Sequence, residues 1–265
     1  MFSHCESVYK DRMSHRYEEM HPAEFTSARQ HAPVVYLPIG PLEWHGLHLP
    51  YGNDALKAHA LCERAVARTG GIVLPPLFWG AGGINVYEAY PGTTYPGTTE
   101  IEIGVLGALM RDILAQMRQN EFRVIVILSG HANGDHIAEL RRVSMEFQRV
   151  FGTVVMALGD WELASNHSYN ADHAARWETS LLMALRPDLV HLERLGPAYT
   201  DEERRTLPWG VVRWRGEIFY QVHEGVWGED PVRFSSAEEG EELANRIVTE
   251  LTVRVRTALQ ESSQR

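Results

Sequence analysis

Residues 34–54 read V-V-Y-L-P-I-G-P-L-E-W-H-G-L-H-L-P-Y-G-N-D, and this stretch decides the fold. Its opening residues, Val34 to Leu37, have the length and β-branched content of a buried strand. Four side chains with carboxylate or imidazole donors follow within twelve positions: Glu43, His45, His48 and Asp54. In an α/β sheet, the loops that leave the carboxyl ends of the strands build the site. The stretch therefore predicts that Glu43, His45 and Asp54 hold a catalytic divalent metal.

The segments that follow alternate between helix and strand. Asp54 is predicted to cap a helix over 55–68, and Ile72-Val73-Leu74 is a second short strand. A strand, a helix and a strand in this order predict parallel pairing. Thr99 with Glu102 fits a capping box that opens a long helix ending near Asn120. The irregular segment between them, 78–98, is predicted to be an ordered loop because it is rich in aromatic residues.

The second half of the chain continues the pattern. Residues 124–128, V-I-V-I-L, are typical of a central parallel strand that is buried on both faces. Asp135 is predicted to cap the next helix, 153–158 is a fourth strand, and 176–185 is another helix. Residues 188–235 give little pattern beyond a strand at 217–222. A second capping box, Ser236 with Glu239, opens a terminal helix.

These elements predict one α/β domain with a mainly parallel sheet and flanking helices. Residues 1–13 are expected to form a loose extension, and residues 260–265 a frayed tail. The chain has 265 residues, of which 44% are hydrophobic, as suits a globular core. It contains no apolar run of about 18 residues, so no membrane helix is predicted.

Composition also limits which partners and which cellular compartment are expected. The formal net charge is -10 and the sequence has no basic stripe, which argues against nucleic acid and anionic membranes as main partners. A small-molecule substrate remains as the expected partner. With two cysteines and no secretory signal, the cytoplasm is the expected location.

Donor side chains occur in three separate segments, each just past a predicted strand or at a helix start. They are Glu43, His45 and Asp54; then His131; then Asp172, His173 and Glu178. If the strands are neighbours in a parallel sheet, all three loops open on one edge. Carboxylate and imidazole together suit Zn²⁺, Mn²⁺ or Fe²⁺ better than Ca²⁺. One carboxylate, such as that of Asp54, can bridge two ions about 3.5–4 Å apart.

Each residue also has a plain structural interpretation. Asp54 can be a helix cap, and His131 can satisfy a buried turn. Asp172 and His173 can form a surface pair, and Glu178 can lie on the solvated face of its helix. The joint placement of all three groups favours the metal site.

Four blocks of the chain, in order, resemble the creatininase (creatinine amidohydrolase) family. They are Gly40-Pro-Leu-Glu43-Trp-His45-Gly-Leu-His48-Leu-Pro with Asp54, Tyr90-Pro-Gly-Thr, Ser129-Gly-His131, and Asp172-His173-Ala-Ala-Arg-Trp-Glu178-Thr-Ser180. The resemblance implies a three-layer α/β/α sandwich, a homohexamer, and two divalent metal ions per subunit, Zn²⁺ or Mn²⁺ with Fe²⁺ as a further option.

The resemblance also implies roles for individual residues. Glu43, Asp54 and His131 look like the ligands of one metal. His45 and the bridging Asp54 look like ligands of the other, which Glu178 completes or lies beside. His173 looks like the general acid/base that gives a proton to the leaving nitrogen, and Glu178 is its catalytic neighbour.

The sequence departs from the family pattern at a few positions. Leu47 stands where the family usually has proline, and Ala174-Ala175 replace Ala-Gly, which predicts a tighter turn near His173. Creatininases carry a glutamate ligand two residues after the histidine that corresponds to His131, and here that residue is Asn133. A neutral amide is a poor ligand for a transition metal. The second metal is therefore expected to rely on Glu178, and creatinine itself is disfavoured as substrate.

The leading prediction is a metal-dependent amidohydrolase that cleaves a C–N bond of a small, cyclic amide or lactam-like molecule. A metallopeptidase or a formamide deformylase of the same family is the first alternative. A metal-binding homologue without turnover is the second, and the intact His173 and Glu178 argue against it. Five aromatic residues are candidates for the pocket wall, with core packing as the alternative for each: Phe78, Trp79, Tyr87, Trp161 and Trp177.

Overall fold

The computed structural model describes residues 14–83, 88–89, 95–164, 172–196, 199–207, 211–214 and 217–263. The predicted N-terminal extension, the predicted pocket residue Tyr87 and the Tyr90-Pro-Gly-Thr block lie outside the described residues. The strands are β1 (Val34–Ile39), β2 (Ile72–Val73), β3 (Glu88–Ala89), β4 (Val124–Ser129), β5 (Val154–Gly159), β6 (Val211–Trp214), β7 (Glu217–His223) and β8 (Val226–Trp227). The helices are α1 (Pro22–His31), α2 (Asn53–Thr69), α3 (Ile103–Gln119), α4 (Gly134–Phe151), α5 (Asp160–Leu163), α6 (Arg176–Leu185), α7 (Asp201–Thr206), α8 (Pro231–Phe234) and α9 (Ala237–Ser262).

A parallel sheet with the order β2-β1-β4-β5 forms the centre of the protein. Strands β1 and β4 pair along their whole length, from Val34 opposite Val124 to Ile39 opposite Ser129. Every residue of both strands is buried. β-Branched and aliphatic residues without alternation are what a strand covered on both faces requires. The predicted central strand and its parallel neighbours are confirmed.

The two faces of this sheet pack against different helices. Val124, Val126 and Leu128 of β4 point into one apolar core, which α2, α6 and α9 complete. Ile125 and Ile127 point into the other core, against α3 and α4. Side chains that alternate between two covered faces give a three-layer α/β/α sandwich. This is the predicted fold class, and the strand Val34–Ile39 lies at its centre.

A second sheet, with the order β3-β6-β7-β8, is antiparallel and was not predicted. It is built almost entirely from the part of the chain in which the sequence showed little pattern. Only its strand β7 was foreseen, at 217–222. An isolated antiparallel bridge between His173 and Trp227 joins β8 to the segment that precedes α6. The second sheet therefore reaches the carboxyl edge of the first.

Two of the predicted helix starts are wrong. Helix α2 begins at Asn53 with Gly52 as its N-cap, so Asp54 lies inside the first turn and is not the cap. Helix α3 begins at Ile103, not at Thr99. The backbone N–H of Thr99 donates to the carbonyl of Leu42 instead, at 2.8 Å, so a loop contact takes the group that the capping box would have used.

The start of α4 also differs from the prediction. Its N-cap is Asn133, whose side-chain oxygen accepts hydrogen bonds from the backbone N–H groups of Asp135 and His136 at 3.0 and 3.2 Å. Asparagine serves this role well because its short side chain reaches the unpaired N–H groups of the first turn. Asp135 is therefore within the helix, and the cap lies two residues earlier than predicted.

The terminal helix agrees with the sequence pattern. The Ser236 hydroxyl accepts from the N–H of Glu239 at 3.1 Å, as half of the predicted capping box. The other half is missing, because the Glu239 carboxylate contacts Ser180 and Arg176. The helix continues to Ser262, so residues 260–262 are helical and not frayed. Within the described ranges, no helix combines the length and the apolar character that crossing a bilayer requires.

Candidate metal centre

The candidate site lies at the carboxyl edge of the parallel sheet, where β1 and β4 end beside the first turn of α2. A glycine directly follows each strand, Gly40 after β1 and Gly130 after β4. A Cβ atom at Gly40 would collide with the side chain of Asp54, and one at Gly130 would collide with the Asp54 carbonyl. Glycine at both positions therefore lets the first turn of α2 approach the strand ends. This close approach places Asp54 between the two loops that carry the other donors.

The first group of donors comprises Glu43, Asp54 and His131. His131 Nδ1 lies 3.1 Å from Asp54 Oδ2 and 3.1 Å from Glu43 Oε2. All three side chains are buried. One ligand atom from each residue lies within 4.8 Å of the others, which is close enough for a single cation to contact all three. These are the residues predicted to bind the first metal.

The second group comprises His45, Glu178 and the same Asp54. His45 Nε2 lies 3.2 Å from Asp54 Oδ1 and 3.4 Å from Glu178 Oε2. The other ring nitrogen, Nδ1, donates to the carbonyl of Glu43 at 2.9 Å. That hydrogen bond fixes the tautomer and directs the Nε2 lone pair at the carboxylates. Asp54 thus offers one oxygen to each group, as a bridging carboxylate would.

Electrostatics show how strongly the site favours positive charge. Burial alone would lower the pKa of His45, but the carboxylates of Asp54 and Glu178 raise it to about 9. Burial also opposes protonation of His131, yet Glu43 and Asp54 raise its pKa well above the usual value. For Asp54, burial is outweighed by His45 and Lys57, which lower its pKa well below the ordinary range. The centre therefore binds protons on its imidazoles when no other cation is present.

The donors fit one or two divalent cations on structural grounds. Glu43 Oε2 and His45 Nε2 are buried and have no hydrogen-bond partner within the described part of the chain. A buried polar atom without a partner is costly. A cation bound by each donor group would give these atoms a partner. The mixture of imidazole and carboxylate suits Zn²⁺, Mn²⁺ or Fe²⁺.

His173 lies against the second group. Its ring is sandwiched between His45, at a centroid distance of 4.4 Å, and Trp227, at 4.2 Å and nearly parallel. Nε2 donates to the carbonyl of Trp44 at 2.8 Å. Burial, aided by the positive charge of His45, lowers the pKa of His173, so the imidazole is neutral. Glu43, His45 and His173 also form a third group of donors within 4.8 Å of one another.

Two charged residues of the centre were missed by the sequence analysis. Lys57 is buried in α2; it hydrogen-bonds Glu178 Oε1 and lies 3.6 Å from Asp54 Oδ1. Asp160, which follows β5, lies 3.7 Å from the Lys57 ammonium. A signal existed for each. Lys57 shares a helix face with Leu61 and Ala65, where a charged residue is unexpected, and Asp160 follows a parallel strand as the other donors do.

Other candidates from the sequence lie elsewhere. His48 contacts the Thr179 hydroxyl at 2.9 Å and is in none of the donor groups. Asp172 accepts from the N–H groups of Ala175 and Trp177, so it caps α6 and is not a member of a donor group. Asn133 is occupied as the cap of α4. Glu178, which could have faced solvent, is buried.

The aromatic candidates for the pocket wall divide between core and surface. Trp177 belongs to the apolar core on the α9 side of the sheet, and Trp161 packs against both cores. Trp79 is 49% exposed. Trp44 and Trp227, which were not candidates, are the ones that contact His173.

Fold and site together define an α/β protein with three overlapping groups of buried carboxylate and imidazole donors at the carboxyl edge of a parallel sheet. The chain belongs to the creatininase family, because the family model described as creatinine amidohydrolase matches residues 18–255.

Relatives of different activity match the chain. Creatinine amidohydrolase of Pseudomonas putida is 30% identical over 178 residues, which are 61% of this chain and 68% of the relative. The mycofactocin precursor peptide peptidase of Mycolicibacterium smegmatis is 27% identical over 244 residues, 87% of this chain and 88% of the relative. A solved manganese creatininase superposes with a TM-score of 0.71 at 25% identity, covering 92% of this chain and 98% of that one.

Proposed function

We propose that the protein is a metal-dependent amidohydrolase that cleaves a C–N bond of a small, cyclic amide or lactam-like substrate. The observation that carries the proposal is the pair of buried donor groups that share Asp54, with His173 stacked on one of their ligands. Family membership supports hydrolysis as the reaction class. Carboxylates and imidazoles that bind cations can activate a water molecule for hydrolysis, so the proposed reaction needs no serine or cysteine nucleophile.

The residues have distinct roles in this proposal. Glu43, Asp54 and His131 would hold one cation, and His45, Asp54 and Glu178 would hold the other. Divalent cations such as Zn²⁺ or Mn²⁺ would supply Lewis-acid chemistry there, which polarises a carbonyl and lowers the pKa of a water from about 15.7 toward 7. The manganese creatininase structure supports the choice of metal. The burial of all five side chains keeps the dielectric low, which strengthens their hold on charge.

His173 is the proposed general acid/base. Donation from Nε2 to the Trp44 carbonyl leaves Nδ1 as the ring atom that can take up a proton. Because the imidazole is neutral before the reaction, it can accept a proton from water and pass it to the departing nitrogen. Stacking between His45 and Trp227 holds the ring plane fixed throughout.

A peptidase is the second candidate, since a peptide peptidase aligns with most of this chain. Asn133 bears on the choice of substrate in both cases. The family's creatininases carry a glutamate there, whereas here the amide caps α4, so creatinine is a poor candidate. The homohexamer and the cytoplasmic location remain predictions.

The test is a substrate screen with protein that has been reconstituted with Zn²⁺ or Mn²⁺. Cyclic amides, lactams, formamides and short peptides are offered, and loss of the C–N bond is read by mass spectrometry. We expect turnover of a cyclic amide that EDTA abolishes and added cation restores. Cleavage restricted to peptides would establish the peptidase alternative. A protein that binds stoichiometric metal and turns over none of these classes would be the non-catalytic homologue.

A further inference from the structure

Lys57 occupies an unusual position for a lysine. Its side chain is 1% exposed, and it lies one helical turn after Asp54 on the buried face of α2. Three carboxylates surround the ammonium group: those of Glu178, Asp54 and Asp160. Burying an ammonium is costly unless it is paired and hydrogen-bonded. Its place at the second donor group therefore calls for an explanation beyond packing.

The geometry of Glu178 supplies the explanation. Its Oε1 accepts a hydrogen bond from Lys57, and its Oε2 accepts one from the backbone N–H of Ala174 at 2.7 Å. These two donors approach opposite ends of the carboxylate, so together they fix its plane and its rotation. In that orientation Oε2 faces His45 Nε2 at 3.4 Å, and Oε1 is occupied.

We propose that Lys57, balanced by Asp160, is a positioning residue that holds Glu178 so that a single oxygen, Oε2, is presented to the cation of the second donor group. The inference rests on the proposed function, because it assumes that this group binds a cation. Partners that orient metal ligands change metal affinity by about 10- to 100-fold when they are removed. Lys57 thus determines how tightly the second donor group binds its cation.

The simpler reading is that Lys57 only neutralises excess negative charge. Asp160 separates the two readings, since its carboxylate lies 3.7 Å from the ammonium and is in none of the donor groups. Burial raises the pKa of Asp160 to about 7, so the comparison is made at pH 8, where this carboxyl is ionised. There, removing Lys57 and Asp160 together removes one charge of each sign and leaves the net charge of the centre the same, whereas Glu178 loses the donor to Oε1.

The experiment measures cation binding and not activity. Metal-free wild type, Lys57→Met/Asp160→Asn and Glu178→Gln are titrated with Zn²⁺ and with Mn²⁺ by calorimetry, and bound metal is counted by mass spectrometry. Glu178→Gln defines the loss of the second cation. Cys62→Ala, which alters another buried side chain of α2, controls for general loosening of the helix. Lys57→Met alone is the second variant, because Glu178 loses the same donor there.

We expect two cations in the wild type and in Cys62→Ala. In Lys57→Met/Asp160→Asn the second cation should bind about 10- to 100-fold more weakly and the first with unchanged affinity. The retained first cation also shows that the variant is folded. Wild-type affinity for both cations in this variant, with the second lost in Glu178→Gln, would overturn the inference and leave the proposed function intact. A wild type that binds no second cation would overturn both.

Discussion

The two sheets contribute to the candidate centre in different ways. The parallel sheet ends in the loops that carry Glu43, His45 and His131, and it packs against the helix that carries Asp54. The antiparallel sheet contributes no ligand to the three donor groups. It contributes Trp227, whose ring stacks on His173 and whose backbone pairs with that of His173 through hydrogen bonds of 2.9 and 3.1 Å.

This difference separates two requirements of hydrolytic chemistry. Ligands must converge, and the carboxyl edge of a parallel sheet achieves this with short connections. The proposed acid/base group, His173, must be held at a fixed angle to them, and here the ring of Trp227 from the second sheet stacks on it. The turn between β7 and β8 packs so closely on Trp44 that a Cβ at Gly225 would collide with its ring. The carbonyl of Trp44, in the loop after β1, accepts the hydrogen bond from His173 Nε2, so the second sheet supports this contact as well as the stack of Trp227 on His173.

The largest expected effect comes from removing the carboxylate that joins the two donor groups at the edge of the parallel sheet. Asp54→Ala removes the carboxylate that both donor groups share, so both cations should be lost and activity should fall to background. Metal content after gel filtration and turnover are the measurements. Asp112→Ala, on the exposed side of α3, should retain both. One tightly bound cation in Asp54→Ala would show that Asp54 is not the bridge.

His173→Ala removes the proposed acid/base group, which the second sheet supports, and leaves the candidate metal ligands unchanged. Turnover should fall by about 10²- to 10⁴-fold, the usual worth of a general acid/base, while both cations remain. Kinetics and metal content are compared with His21→Ala, a substitution of a histidine whose side chain is 86% exposed. Loss of one cation along with turnover would instead make His173 a ligand, through the third donor group.

Trp227→Leu sharpens the comparison, since it changes the second sheet only. The backbone pairing with His173 does not depend on the side chain, so the substitution removes the ring stack together with the packing of Trp227 against Tyr95 and Trp44. The rate constant kcat should fall roughly tenfold, because small misplacement of a catalytic group is costly, with metal content unchanged. Trp227→Phe keeps an aromatic surface and should recover most of the rate. Equal rates in the two variants would exclude stacking as the cause.

The same contrast explains how much the sequence could predict. The unbroken apolar runs at 34–37 and 124–128 are local signals for buried parallel strands, and they place the loops that follow them at one edge. Glu43, His45, Asp54, His131 and Glu178 were therefore expected together, and the structure brings them together. Their metal-binding roles remain predictions. The positions of helix starts were less predictable, because the N–H of Thr99 is held by a loop contact with Leu42, and Asn133, two residues before Asp135, caps α4.

The second sheet had no comparable signal. Its strand pairs span short segments, such as Glu88 opposite Arg213, that are far apart in the chain. The pairing of His173 with Trp227 is set by tertiary contacts and has no local pattern. Lys57 was missed for a different reason. A lysine on a helix is ordinarily solvated, and only its three carboxylate neighbours, from separate segments, make its burial possible.

A smaller effect concerns the stability of the metal-free protein. The pKa of His45 is raised in the folded state to about 9, so its contribution is fully present below pH 6.5 and is lost as pH rises through 9. The contribution is worth at most about 3 kcal/mol. Cations replace those protons in the loaded protein. The gap in Tm between loaded and EDTA-treated protein should therefore widen from pH 6.5 to pH 9, as calorimetry can measure. A constant gap would contradict the raised pKa.

The smallest effect lies at the junction between the two sheets. Ala174 follows His173, donates to Glu178 Oε2, and has a left-handed backbone with φ of 53°. A left-handed alanine costs about 1–2 kcal/mol, and the extra freedom of glycine in the unfolded chain offsets about 0.4–1 kcal/mol of that. Both Ala174 and the next residue, Ala175, are buried, so glycine at either position also loses a methyl group worth about 0.8 kcal/mol. Ala174→Gly should therefore leave the free energy of unfolding nearly unchanged, measured by denaturant titration. Ala175→Gly is the matched control, because φ there is -98° and glycine brings the same losses without relief of strain, so it should be the less stable variant by about 1–2 kcal/mol. If both variants are destabilised alike, the turn at His173 carries no strain, and the predicted tightness of that turn is wrong.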